Sequence, residues 1–204
     1  MFFVETPMRR IRPKRSSESR NIGRSLMSAV VLHEYYTLED YRHWKGDWEL
    51  IHGVPLAMAP SPGVTHQRVA RRFQRQFDEA FDQCPQCEVL YEIDVEFSAD
   101  TVTRPDVLVV CEPLDGERIT RAPVLIAEVI SPKTARRDEQ TKFQLYRDEG
   151  VGYYILLYPQ AAKAKVYRLI DGEYRKVGDF QRATCPIELP GCVVEVDFSR
   201  LWSP

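Results

Sequence analysis

The chain has 204 residues, 44% of them hydrophobic and 28% charged, the balance of an ordinary globular domain with one proper core. No apolar run approaches the roughly 18 residues of a membrane-spanning helix, which excludes that class of membrane protein. The formal charge of −2 conceals an asymmetry between the two ends of the chain.

Residues 1–27 carry Arg9, Arg10, Arg12, Lys14, Arg15, Arg20 and Arg24 against Glu5 and Glu18. That segment is +5 and the remainder −7. A −7 body is not that of a dedicated tight DNA binder, whose affinity comes from neutralising phosphates. The basic segment lacks the long apolar stretch of a secretory signal. It reads as a flexible arm, with Met27 as an alternative start, and residues 28–204 read as one domain. A cytoplasmic location without a membrane partner is expected.

Thr37 ahead of Leu38-Glu39-Asp40 predicts a capped short helix reaching about Lys45. Trp48 to Met58 reads as two short strands turned at His52-Gly53. Pro60-Ser61-Pro62-Gly63 is a loop, and a helix begins at Val64. Val69, Phe73, Phe77 and Phe81 recur every four residues and give that helix one apolar stripe. Arg68, Arg71, Arg72 and Arg75 crowd its remaining surface, as a solvated face or as phosphate-binding groups.

Cys84-Pro85-Gln86-Cys87 follows, with the spacing of a zinc or redox pair. A zinc site needs about four ligands, and there is no second Cys-x-x-Cys and no nearby His. The plain reading is a helix-ending loop that contains two thiols. With Cys111, Cys185 and Cys192 the count is odd, which predicts free thiols in a reducing compartment.

Val89, Tyr91, Ile93, Val95 and Phe97 alternate with more polar residues and predict one half-buried strand. Val107–Val110 and Val124–Ile130 are continuous apolar runs, which suggests central strands covered on both faces. A helix is expected from about Arg136 to Glu149, stopped by Gly150. Tyr153–Tyr158 is another central strand. Lys163–Ile170, Tyr174–Val177 and Val193–Val196 read as later strands, with turns at Asp171-Gly172 and Pro190-Gly191. The expected fold is α/β, a mixed central β-sheet flanked by helices.

Two carboxylates sit where burial makes them expensive. Glu128 lies near the end of an apolar strand, and Asp106 opens another. On adjacent strand ends they could share one divalent cation, and hard oxygen ligands suit Mg²⁺ or Mn²⁺. Asp138, Lys142 and Tyr146 follow at four-residue spacing and would share one helix face. Two acids and an ammonium group form the minimal set for metal-dependent phosphodiester hydrolysis.

The ordered segments Trp48-Glu49-Leu50-Ile51-His52-Gly53, Ala59-Pro60-Ser61-Pro62 with His66-Gln67, Arg104-Pro105-Asp106-Val107 and Ala127-Glu128-Val129-Ile130-Ser131-Pro132-Lys133-Thr134 resemble one known family. They continue through Asp138, Lys142, Tyr146 and Gly150-Val151 to Tyr154 and Leu189-Pro190-Gly191. Over about residues 32–202 the chain resembles the putative restriction endonuclease domain family of the PD-(D/E)XK nuclease superfamily. The resemblance implies a restriction-endonuclease-like core and Mg²⁺-dependent cleavage of DNA. It implies that Asp106 and Glu128 hold the metal, with Glu49 completing the shell. The superfamily's usual lysine position is Ile130 here, so Lys142 would supply the charge. His66 matches a loop histidine that would contact metal, water or phosphate. Asp138 would orient Lys142, and Tyr146 would pack in the core with a polar tip. Tyr158 stands where the family often has Asp, and a second early Glu near Val54 or Pro55 is missing.

Each residue also has a plainer reading. Asp106 could cap a turn, Glu128 could pair with Arg104 or Arg121, and Lys142 could decorate a surface. The function expected is a metal-dependent endonuclease acting on DNA as a homodimer. The alternative is a non-catalytic nucleic-acid-binding or regulatory module on a degenerate nuclease fold. A glycosidase-like carboxylate pair is disfavoured by the Pro-Asp strand and the helical lysine.

Overall fold

The computed structural model describes residues 34–58, 61–114 and 116–202. The basic segment 1–27, Met27 and the expected domain start at residue 28 lie outside them, as do Ala59-Pro60.

Helix α1 (Leu38–Tyr41) is shorter than expected but capped as expected. Thr37 Oγ1 accepts from the Asp40 N–H, and the Asp40 carboxylate accepts from the Thr37 N–H. Strands β1 (Trp48–Ile51) and β2 (Val54–Ala57) form a hairpin. Its two central residues, His52 and Gly53, have φ of 50° and 75°, the positive values that a tight hairpin turn requires. Helix α2 (Val64–Phe81) buries Val69, Ala70, Phe73, Gln76 and Phe77, the face the four-residue spacing marks.

The predicted strand through Val89–Phe97 is two strands, β3 (Glu88–Tyr91) and β4 (Val95–Ser98). Glu92 adopts φ of 50°, which breaks the extended backbone. The chain changes sheet at that point. Strand β5 (Thr101–Thr103), absent from the sequence reading, pairs with both β4 and β1. The small sheet has the order β2-β1-β5-β4.

Strands β6 (Val107–Val110), β7 (Leu125–Val129), β8 (Tyr153–Tyr158), β9 (Lys163–Ile170) and β10 (Glu173–Phe180) complete a larger sheet in the order β10-β9-β8-β7-β6-β3. Only β7 and β8 run parallel within it. Between them the chain forms a π-helical turn (Arg137–Lys142) and helix α3 (Phe143–Asp148), ended by Gly150 at φ of 83°. Strands β11 (Thr184–Leu189) and β12 (Cys192–Asp197) make a separate hairpin, followed by α4 (Ser199–Trp202). Strand β11 was also unread. Its Pro186 argues against a strand, but β11 pairs on one side only, where proline is tolerated.

The large sheet has a core on each face. On one face Val107, Val109, Leu125, Ala127 and Val129 meet Phe73 and Phe77 of α2 and the β11–β12 hairpin. On the other, Leu108, Val110, Ile126, Tyr154 and Leu156 meet Leu145 and Tyr146 of α3 and Ile51 and Val95 of the small sheet. The continuous apolar runs are explained by this double cover. The architecture is the mixed α/β one expected, with α1 and α3 shorter than expected and the short α4 added.

The cysteine expectation is corrected. Cys84 is bonded to Cys192 and Cys87 to Cys111, leaving only a buried Cys185 as a free thiol among the described residues. The fold brings β12 and the end of β6 to the loop after α2, so each thiol of the Cys-x-x-Cys finds a distant partner. An odd count says nothing against two internal pairs and one leftover.

Candidate active site

Strand alternation aims the central carboxylates. Ala127 and Val129 face α2, so Glu128 between them faces the opposite side, toward α3. Val107 pairs with Ala127 in the antiparallel ladder of β6 and β7. Asp106 immediately precedes Val107, and its charge acts on the Glu128 carboxyl. Asp106 Oδ2 accepts from the Val129 N–H at 2.7 Å, which fixes the carboxylate across the strand ends.

Lys142 is inserted into this arrangement. It is 4% exposed, and its Nζ lies 2.7 Å from Glu49 Oε1, 2.9 Å from Glu128 Oε1 and 3.9 Å from Asp138 Oδ1. Glu49, on β1, also accepts from the Arg104 N–H at 3.0 Å and holds the Arg137 guanidinium at 3.4 Å. Tyr146 OH lies 3.0 Å from Glu128 Oε1 and 3.2 Å from Thr103 Oγ1. His66, in the first turn of α2, places Nε2 3.1 Å from Asp106 Oδ1. The π-helical turn carries both Asp138 and Lys142 inward, and π-helical segments occur frequently at functional sites.

Burial pushes the Glu128 carboxyl well above its ordinary range, with Asp106, Asp138 and Glu49 adding to the rise and Lys142 opposing it. Asp138 is raised for the same first reason, against Lys142 and a hydrogen bond from Thr134. Burial alone would favour a neutral Lys142 amine, but Glu128, Glu49 and Asp138 outweigh it and hold the ammonium form firmly. Burial likewise lowers His66, and Asp106, Glu92 and Asp138 more than reverse that.

Glu49, His66, Asp106, Glu128, Asp138 and Lys142 all line one cleft of about 470 Å³. Tyr146 lies fully buried beneath it. Arg68, Arg71 and Arg75 do not line the cleft; Arg68 and Arg71 are exposed on α2, and Arg75 pairs with Glu79 at 2.6 Å. The plainer partners for Glu128 are occupied elsewhere: Arg104 pairs with Asp94 and Asp47, and Arg121 with Glu112. Arg137 was missed, although it borders Asp138; nothing in the sequence says that its guanidinium reaches Glu49.

The cleft is lined by six acidic and four basic side chains, counting Asp47 and Glu92 among the acids and Arg104, Lys133, Arg137 and Lys142 among the bases. Among the described residues, no three His, Cys, Asp or Glu side chains converge as a ready-made metal cage. Asp106 and Glu128 supply two hard carboxylates, which suits a cation that keeps several waters and takes the rest of its shell from substrate phosphate. The donor chemistry of these two carboxylates therefore fits Mg²⁺ or Mn²⁺.

The profile of one protein family matches residues 32–197, and that family, Uma2, is described as a putative restriction endonuclease. The chain belongs to the Uma2 family. The fold agrees with a crystal structure of a putative nuclease belonging to DUF820 from Anabaena variabilis ATCC 29413. The two superpose with a TM-score of 0.68 over 81% of this chain and 97% of that one, at 17% identity, a likeness that shows the fold alone. No curated protein matches the chain.

Two departures of this Uma2 chain now have a structural setting. Ile130 extends the apolar packing beyond Glu128, and its N–H donates to Leu157 O at 2.7 Å. Tyr158 donates from its hydroxyl to Glu139 Oε1 at 2.5 Å and lies under Lys165.

Proposed function

We propose that this chain is an endonuclease that hydrolyses phosphodiester bonds of DNA with Mg²⁺ or Mn²⁺ held by Asp106 and Glu128. The observation that carries the reading is the buried Lys142 ammonium, shared by Glu49 and Glu128, in the cleft that Asp106 and Glu128 line together. A cation bound there supplies Lewis-acid polarisation of the phosphoryl oxygen and a bound water of lowered pKa. Lys142 stabilises the charge that develops on phosphorus oxygens, fixed in place by Glu49. Glu49 has both oxygens engaged by Lys142, Arg104 and Arg137, so its task is to position that ammonium. His66 holds Asp106, and in its protonated form donates to it. An acidic cleft repels phosphate on its own, which argues for a cation as part of the working site. Cleavage of both strands would call for two copies of this single site, and a homodimer is the expected working unit.

A non-catalytic binding module has one observation in its favour: Glu128 Oε1 is already engaged by Lys142 and Tyr146. One assay separates the two readings. Supercoiled, linear and single-stranded DNA are incubated with the wild type, Asp106→Ala and Glu128→Ala in Mg²⁺ and in Mn²⁺. The nuclease reading expects cleavage by the wild type and none by either folded variant. Cleavage unchanged by Glu128→Ala contradicts the assignment of the site, and no cleavage of any DNA form by the wild type favours the module.

A further inference from the structure

A second cleft, of about 430 Å³, opens beside the first and lies within the size range of small-ligand sites. The two clefts share Arg104 and Glu92 as a common wall. Tyr41, Trp44 and Trp48 line the second one. The ring of Trp44 is edge-on to both others, with centroids 5.5 Å from Tyr41 and 5.8 Å from Trp48, and all three are partly exposed. Two of them have their polar tips satisfied internally: Tyr41 OH donates to Asp94 at 2.8 Å, and Trp48 Nε1 to Lys45 O at 2.9 Å, while the Trp44 ring is packed edge-on between its neighbours. The rings are thus fixed in advance, and what they offer a ligand is aromatic surface.

The charged groups are also arranged in advance. Glu96, 8% exposed, holds Arg42 at 3.0 Å on one oxygen and Arg118 on the other. Both guanidinium side chains remain about half exposed, at 46% and 53%. Asp94 is neutralised by Arg104 at 2.7 Å. Glu92 and Glu117 also line this cleft, so it is the half-exposed Arg42 and Arg118 guanidinium groups that suit phosphate, and the aromatic faces suit any base.

We propose that this second cleft takes the nucleobase of an unpaired nucleotide adjacent to the scissile phosphate. The base stacks on the Trp44–Trp48 cluster, and Arg42 and Arg118 contact the neighbouring phosphates. This rests on the nuclease reading, because the wall shared at Arg104 and Glu92 is what sets the second cleft beside the scissile phosphate. A base inside a duplex stack cannot present its face to these rings, so the favoured substrate is single-stranded or locally unpaired DNA.

The test measures fluorescence anisotropy of labelled oligonucleotides on the full chain carrying Glu128→Gln, with Mg²⁺ present. Three probes are compared: a short single strand, an abasic strand with the same number of phosphates, and the matching duplex. The base-bearing strand is expected to bind about tenfold more tightly than either other probe. Trp44→Ala should abolish that preference. Because Trp44 also packs on Tyr36 and Tyr41, Arg118→Ser serves as a second variant, expected to weaken single-strand binding several-fold with the circular dichroism spectrum unchanged. Equal affinity for base-bearing and abasic strands, a preference for duplex, or no binding of any probe overturns the inference. Base preference without cleavage by the wild type overturns the nuclease reading alone, and cleavage without base preference overturns this one alone.

Discussion

At the scale of residues, Lys142 decides the character of the site. It is the shared counterion of Glu49 and Glu128, with Asp138 close by, in a place water hardly reaches. Removing one partner of a buried ionic cluster leaves the others uncompensated. Lys142→Met is therefore expected to destabilise the fold by about 3–5 kcal/mol in urea unfolding. A stability change under ~1 kcal/mol would mean that the cluster is wetter than its burial indicates. Asp106 and Glu128 were legible in the sequence because a carboxylate inside or at the mouth of an apolar strand is conspicuous. Glu49 and His66 were singled out only through the family resemblance, since an acid in a short strand and a histidine in a helix carry no signal of their own. Arg137 was illegible because a guanidinium's partner is chosen by tertiary structure.

At the scale of elements, strong periodicity was readable and its interruptions were not. The four-residue stripe of α2 and the unbroken runs of β6, β7 and β8 identified themselves. The alternation from Val89 to Phe97 runs on across Glu92, so only the backbone conformation there reveals the change of sheet. Strand β5, at three residues, is too short to show a period. The spacing of Asp138 and Lys142 suggested an α-helix, whereas the chain winds as a π-helical turn. The junction between α3 and β8 makes a sharp prediction. A Cβ on Gly152 would lie 2.8 Å from the carbonyl oxygen of Val124, and a backbone atom in the β7–β8 ladder cannot swing aside. Gly152→Ala should cost about 1–3 kcal/mol, read as a lowered thermal midpoint. An unchanged midpoint would mean that the ladder yields at this end.

At the scale of the whole molecule, two covalent links tie the loop after α2 to the β11–β12 hairpin and to the end of β6. The Cys84–Cys192 link spans 108 residues and the Cys87–Cys111 link 24. Neither pairing could be read from the sequence, because each partner is supplied by the fold. The double variant Cys84→Ser with Cys192→Ser is expected to lose about 2–4 kcal/mol of stability in urea without reductant. Five reactive thiols in the unreduced, unfolded protein would contradict both links. The sheet core, by contrast, was legible in outline, since apolar runs covered on both faces and a parallel β7–β8 crossover leave few arrangements open.

The central claim is that Asp106 and Glu128 form the protein half of a divalent-cation site completed by substrate. The most direct test is calorimetric titration of Mg²⁺ and Mn²⁺ into the wild type and Asp106→Ala, each with and without a short DNA strand. Heat of binding is expected for the wild type, strengthened by DNA, and is expected to vanish in Asp106→Ala. Absence of binding by the wild type even with DNA, or binding that survives Asp106→Ala unchanged, would contradict it.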